Sequence, residues 1–197
     1  SYNIDGSKAS ACGNATRCVA RILYEEEGCT EAVIETINKK LKTKKIQDKY
    51  QVNMGKTHTD WGQIPLKHHF SPYETHLLPF DKFGKGYVAN IGNPHLIYFV
   101  KDLKAVDLRK EVSHLENHPL FPEGVNINIA EIISANEIAM KTWERGAGAT
   151  MACGTGACAT GYIAYKHGFT SNDIKINQPG GSLNICLLYT SDAADDQ

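Results

Sequence analysis

One short pattern occurs twice in this chain, and that repetition constrains the fold more than any other feature. Ala11-Cys12-Gly13-Asn14 runs on into ATRCVARILYEEEG, and Ala152-Cys153-Gly154-Thr155 runs on into GACATGYIAYKHG. Each cysteine heads an amphipathic run that stops at a glycine, Gly28 in the first case and Gly168 in the second. A glycine just past the last turn is a common helix terminator, because it adopts the left-handed conformation without strain. The pattern predicts two helices, one in each half of the chain, each with a thiol at its N-terminus.

Around these helices the sequence reads as strands. In the first helix Ala15, Cys18, Val19, Ile22 and Leu23 follow helical spacing and predict the buried face. Residues 33–37 and 41–46 are β-branched or alternating, with Asn38-Lys39 between them, and predict a hairpin. The lysines from Lys39 to Lys45 are too few, and too poor in aromatic neighbours, for a nucleic-acid surface, and read as a solvated strand face. Further strands are expected at residues 51–54, 86–90, 96–100, 125–133 and 137–144. A helix is expected at 107–117, and a closing hairpin at 174–185 turns on Pro179-Gly180-Gly181. In the second helix Cys158, Ala159, Tyr162 and Ile163 are the expected apolar stripe. The fold class is therefore α+β, with two pseudo-symmetric lobes, each a curved and mostly antiparallel sheet around a central helix. Residues 1–56 are assigned to what remains of the first lobe and 57–185 to the second.

The ends read differently. Ser1 lies only a few residues before the first motif, so sequence is expected to have been lost upstream. Residues 186–197, CLLYTSDAADDQ, resemble translated adapter read-through and are set apart as a non-native tail, Cys186 included.

A thiol at a helix N-terminus feels the positive end of the macrodipole and the unpaired first-turn N–H groups. Both lower its pKa, so a substantial thiolate fraction near neutral pH is expected. The N–H groups of Gly13, Asn14, Gly154 and Thr155 can also hold a carboxylate. With a carboxylate between two such ends, the adjacent α-carbon lies between two sulfurs. One sulfur removes the α-proton and the other delivers a proton to the opposite face, which inverts the carbon without a cofactor.

A net charge of −1 gives no electrostatic case for nucleic acid or for an anionic membrane, and no apolar run approaches a transmembrane length. Six cysteines without scaffold spacing point to reduced thiols in the cytoplasm. Asn14-Ala15-Thr16 matches a glycosylation sequon by chance. A rival of another class uses the pairs Cys12/Cys18 and Cys153/Cys158 as zinc ligands or as a redox switch, and metal analysis of reduced protein separates the two.

NIDGSKASACGNATRC, IGNPH, FPEGVNI and WERGAGATMACGTGACA together resemble diaminopimelate epimerase, over nearly everything from Tyr2 to Ile185. The resemblance implies a cofactor-independent, two-base isomerase of lysine and peptidoglycan-precursor biosynthesis, taking LL-diaminopimelate to the meso form. Cys12 and Cys153 match its acid/base pair, and Gly13, Asn14, Gly154 and Thr155 match the groups that hold the reacting carboxylate. Asn3, Asn93 and Asn126 match substrate-binding asparagines. Glu144 and Arg145 match the pair that binds the substrate's far end or tunes the site, and His95 a histidine beside the catalytic centre. It implies no metal, a small amino-acid substrate, and an assembly for which a homodimer is an option. Ala149 stands where many members have Glu, and Ala15 where many have Gly. Proline and hydroxyproline racemases of the same superfamily are the near alternative, but they usually carry His where Asn14 stands. The family's opening and closing strands are missing, so this chain alone is expected to be unstable or inactive, with sheet edges left open.

Overall fold

A computed structural model of the protein describes residues 13–36, 40–67, 78–80 and 82–188. Two sheets appear among them. The smaller is antiparallel, with β1 (Glu31–Glu35), β2 (Lys40–Ile46) and β3 (Lys49–Val52) in that order, against helix α1 (Gly13–Glu27). The larger contains β4 (Leu78–Phe80), β5 (Gly84–Asn90), β6 (Pro94–Phe99), β7 (Asn126–Ser134), β8 (Glu137–Glu144), β9 (Gly148–Thr150), β10 (Asp173–Gln178) and β11 (Gly181–Cys186). Its order is β11-β10-β8-β7-β6-β5-β4, with β9 beside the end of β8. Only β6–β7 and β8–β10 pair in parallel. Helix α3 (Gly154–Lys166) packs on one face of this sheet, and the short helix α2 (Leu108–Glu111) belongs to the connection over the other.

Strand alternation explains how one sheet serves two cores. Leu96, Tyr98, Ile127 and Ile129 point into a cluster with Val112, Leu115 and Phe121 from the α2 connection. The intervening residues, His95, Ile97, Asn128, Ala130 and Met140, face the α3 side. Small residues let the sheet close around α3: Thr155, Gly156, Ala157, Ala159, Thr160, Gly161 and Ala164 are all buried, with Ile163 the one large side chain among them.

Three expectations need correction. The buried residues of α1 are Gly13, Thr16, Ala20 and Tyr24, while Val19 is 43% and Ile22 51% exposed and Cys18 is exposed too. Tyr24 decides the orientation, because its hydroxyl bonds Thr43 on β2 and its ring stacks on Tyr50 of β3. Helix α3 has no single stripe, and Cys158 and Tyr162 of the expected stripe are only half-buried, because strands enclose the helix on most sides. The helix expected over 107–117 begins at its Asp107 cap, whose side chain accepts from Lys110 N–H, but breaks at Val112 into a 3₁₀ turn at Ser113–Leu115. Just beyond, Glu116 is committed to long-range bonds: its carbonyl accepts from Val125 N–H and its carboxylate from Trp143 and Gly146.

The closing hairpin pairs Asp173 with Cys186, and Leu187 N–H donates to Asn172 O, so the sheet runs on into the segment set apart as tail. The turn expected at Asn38-Lys39 and the rest of that tail, 189–197, lie outside the described residues.

Candidate active site

The N-termini of α1 and α3 meet. A Cβ built on Gly154 would lie 3.6 Å from Gly13 Cα, and one on Gly13 would lie 3.7 Å from Gly154 Cα. Asn14 in the first turn of α1 donates through Nδ2 to Ala152 O at 3.2 Å, directly before Cys153. Arg17 donates to Asn14 Oδ1 at 2.8 Å and so holds the amide in this sense. Two positive helix ends pressed together repel unless an anion lies between them, and their first-turn N–H groups have no acceptor within the helix. The junction is built to receive a negative group.

Cys153 caps α3. Its backbone is extended (φ −128°, ψ 111°), its Sγ accepts from Gly156 N–H at 3.3 Å, and its own N–H donates to Gln178 Oε1 at 2.7 Å. Thr155 Oγ1 lies 3.4 Å from the sulfur. The expected lowering of this thiol is not what the surroundings give. Burial and the Glu144 carboxylate push it up to about 12, against the smaller opposing pull of the Thr155 and Gly156 bonds. At 3% exposure the sulfur has lost the water that would solvate its charge, and two hydrogen bonds do not replace it. In the resting protein Cys153 is a thiol.

The other proposed residues sort into three groups. Asn93 and His95 join the Cys153 cluster: Asn93 Nδ2 donates to Thr155 Oγ1 at 3.3 Å, and Asn93 Oδ1 lies 3.1 Å from His95 Nε2. His95 is fully buried, and burial, aided by the charge of Arg145, depresses it to about 3, so its ring is neutral at physiological pH. Asn126, Glu144 and Arg145 lie together where β7 begins and β8 ends. Asn126 donates to Pro94 O and accepts from Arg145 N–H, so one amide ties β6 to the β8–β9 turn. Glu144 accepts from Thr150, and the Arg145 guanidinium reaches Glu123 O across the loop. Asn3 and Cys12 make up the third group and lie outside the described residues, Cys12 one position before α1.

Sequence reading missed Gln178, Glu116, Thr142 and Asn128. The first two anchor Cys153 and the β8–β9 turn from far along the chain, which no local pattern announces. Asn128 did leave a signal: NIN places two amides on one face of a strand whose first five residues are all buried. Among the described residues no group of His, Cys, Asp or Glu has the geometry of a metal site.

Residues 87–192 match the family model described as diaminopimelate epimerase. A diaminopimelate epimerase of Afipia carboxidovorans is 42% identical over 191 residues, covering 93% of this chain and 66% of that protein. The chain belongs to the diaminopimelate epimerase family. Another member, from Wolbachia sp. subsp. Drosophila simulans, is 43% identical over 189 residues, covering 93% of this chain and 71% of its own length. The chain thus spans about two thirds of the length of these relatives. Solved structures extend the fold beyond the family. A hydroxyproline epimerase from Agrobacterium vitis aligns with a TM-score of 0.63 at 16% identity, covering 97% of this chain and 62% of that one. A phenazine biosynthesis PhzF family protein from Enterococcus faecalis aligns at 0.60 and 18%, covering 94% and 69%. No described helix of this family member is long and apolar enough to cross a membrane.

Proposed function

We propose that the protein epimerises an amino-acid α-carbon by a two-base route, converting LL-diaminopimelate to meso-diaminopimelate for lysine and peptidoglycan-precursor biosynthesis. The observation that carries this reading is the contact of the two helix N-termini at Gly13 and Gly154, with Cys153 as the cap of one of them. The substrate's reacting carboxylate enters the junction and accepts from the first-turn N–H groups. As the α-proton leaves, negative charge moves onto that carboxylate, so fixed donors favour the transition state over the ground state.

Two-base inversion then gives Cys153 and Cys12 the roles of acid and base at the α-carbon. The resting Cys153 thiol is ready to donate a proton. In the reverse direction it must lose one, and Glu144 opposes that. The substrate's ammonium, brought beside Glu144, offsets this carboxylate's charge and so lowers the thiol pKa from its resting value, which favours the basic form of Cys153 when substrate is present. Asn3, Asn93, Asn126, Glu144 and Arg145 supply the mixed polar lining that a substrate charged at both ends requires. The reaction is placed in the cytoplasm, where thiols stay reduced, with the enzyme acting alone or as a homodimer.

The test is deuterium uptake from heavy water into the substrate's α-position, measured on the protein at its relatives' full length. Cys12→Ala and Cys153→Ala are each expected to lower epimerisation about 10²–10⁴-fold. Exchange at the parent rate in the double variant would remove the mechanism.

A further inference from the structure

On the α3 side of the large sheet, three adjacent strands present a row of polar side chains with no access to water. His95 lies on β6, Asn128 on β7 and Thr142 on β8, and Asn128 and Thr142 are direct cross-strand partners. Thr142 Oγ1 donates to Asn128 Oδ1 at 3.0 Å, and Asn128 Nδ2 lies 3.0 Å from His95 Nδ1. The amide oxygen is already engaged by the threonine, so the amide nitrogen is the end that faces the ring.

That orientation fixes every proton beyond it. An amide N–H donates, so Nδ1 of the neutral ring accepts and the ring proton sits on Nε2. Nε2–H then donates to Asn93 Oδ1, which leaves Asn93 Nδ2 to donate to Thr155 Oγ1. With that bond accepted on one lone pair, the Thr155 hydroxyl can turn its proton toward Cys153 Sγ, 3.4 Å away. A second observation ties Asn128 to the sulfur directly. A Cβ on Gly156 would lie 2.5 Å from Asn128 Oδ1 and 3.2 Å from Cys153 Sγ, so α3 omits a side chain where the amide and the thiol both need room.

We propose that Asn128 is a positioning residue for Cys153: by holding His95 as the Nε2–H tautomer, it directs a chain of donors through Asn93 and Thr155 onto the sulfur. The inference rests on the epimerase reading and adds a residue to it. Its effect appears when Cys153 becomes a thiolate, since each donor in the chain polarises the next and the last proton points at the developing charge. With the tautomer reversed, an unprotonated Nε2 faces Asn93 Oδ1, the Asn93 amide must rotate, and Thr155 loses the bond that aims it.

The experiment begins with nitrogen NMR of the His95 ring in the wild-type chain, which needs no substrate. The expected signature between pH 5 and pH 8 is a neutral ring protonated on Nε2. In Asn128→Asp a carboxylate faces Nδ1, and the ring is expected to take a proton there; Asn128→Leu removes the donor without changing the shape much. At full length both variants are expected to lower kcat by about tenfold or more, the loss of one pKa unit of thiolate stabilisation. KM should stay within about twofold, and the limb of the pH profile assigned to Cys153 should move to higher pH. A wild-type ring protonated on Nδ1 overturns the inference. So does a folded Asn128→Asp protein whose ring has changed tautomer while kcat and its pH profile have not. A wild-type protein with the expected ring and no α-proton exchange brings down the epimerase reading instead, and leaves the tautomer assignment standing.

Discussion

Helix α3 is enclosed by the larger sheet on nearly every side, whereas α1 rests on three strands and leaves Val19 and Ile22 about half exposed. Yet both begin on the same ACG pattern, and their first residues touch. The shared part is the helix start, where the chemistry is; the surroundings differ from the second turn onward. In α3 the residues after the cap are small, and a Cβ on Gly161 would already lie 3.4–3.5 Å from Ile185, Ile174 and Ile176. In α1 the same stretch carries Arg17, Arg21 and Glu25, and holds its sheet through Ala20 and Tyr24. Cys153 is therefore held dry, and the electrostatics of that sulfur are governed by burial more than by its helix end.

The largest test of this contrast is acid. His95 is held down to about 3 by burial, while an unfolded histidine titrates near 6.5. The unfolded chain therefore binds a proton that the folded one refuses. Stability from this group is complete above the unfolded pKa and is lost as pH falls from about 6.5 toward 3, on the order of 5 kcal/mol in all. Amide exchange followed over this range should show β6, β7 and β8 losing protection ahead of α1. Simultaneous loss would mean that the two regions unfold as one unit, and their different surroundings would carry no thermodynamic weight.

Truncating one side chain in the α3 core comes next. Ile163 is fully buried among Ala89, Ile97 and Ala159, so Ile163→Ala is expected to lower stability by about 2–5 kcal/mol, the range for an aliphatic core deletion. Urea melts measure it. A value under about 1 kcal/mol would show that the sheet collapses onto the helix and that the enclosure is looser than its burial suggests.

How far these features could be read from sequence follows from the same contrast. The paired motif located both helix starts, because the signals that open a helix act within a few residues. Most strands of both sheets followed from alternation and β-branching, to within a residue or two at most ends, but the three-residue strands β4 and β9 are too short to show a pattern and were not expected. Which face of α1 is buried did not follow. A hydrophobic stripe weighs each residue by itself, while Tyr24 is placed by a hydroxyl bond to Thr43 and a stack on Tyr50. The thiol of Cys153 was misjudged for a related reason: the helix end is local and visible, but the burial and the Glu144 charge that outweigh it come from other strands. Asn128 and Thr142 lie on neighbouring strands and acquire meaning only as partners.

The smallest expected effect bears on α1. Ile22 is 51% exposed and shows water an apolar surface that the described residues do not cover. Ile22→Glu should therefore change stability by no more than about 0.5 kcal/mol, as for a surface site away from special features. The substitution also adds a negative charge one turn before Glu25 and Glu26, which explains any small loss, since like charges at this spacing repel weakly. Thermal melts of this chain and of a protein at its relatives' full length should then be read side by side. A negligible shift in both means that α1 works with one open face and needs only its N-terminus in place. A negligible shift here with a fall of several degrees at full length means that further chain covers Val19 and Ile22, and that the imbalance between the two helices belongs to this span of sequence. A large loss in this chain alone would contradict the exposed stripe itself, and with it the claim that Tyr24 and Ala20 set which way the helix faces.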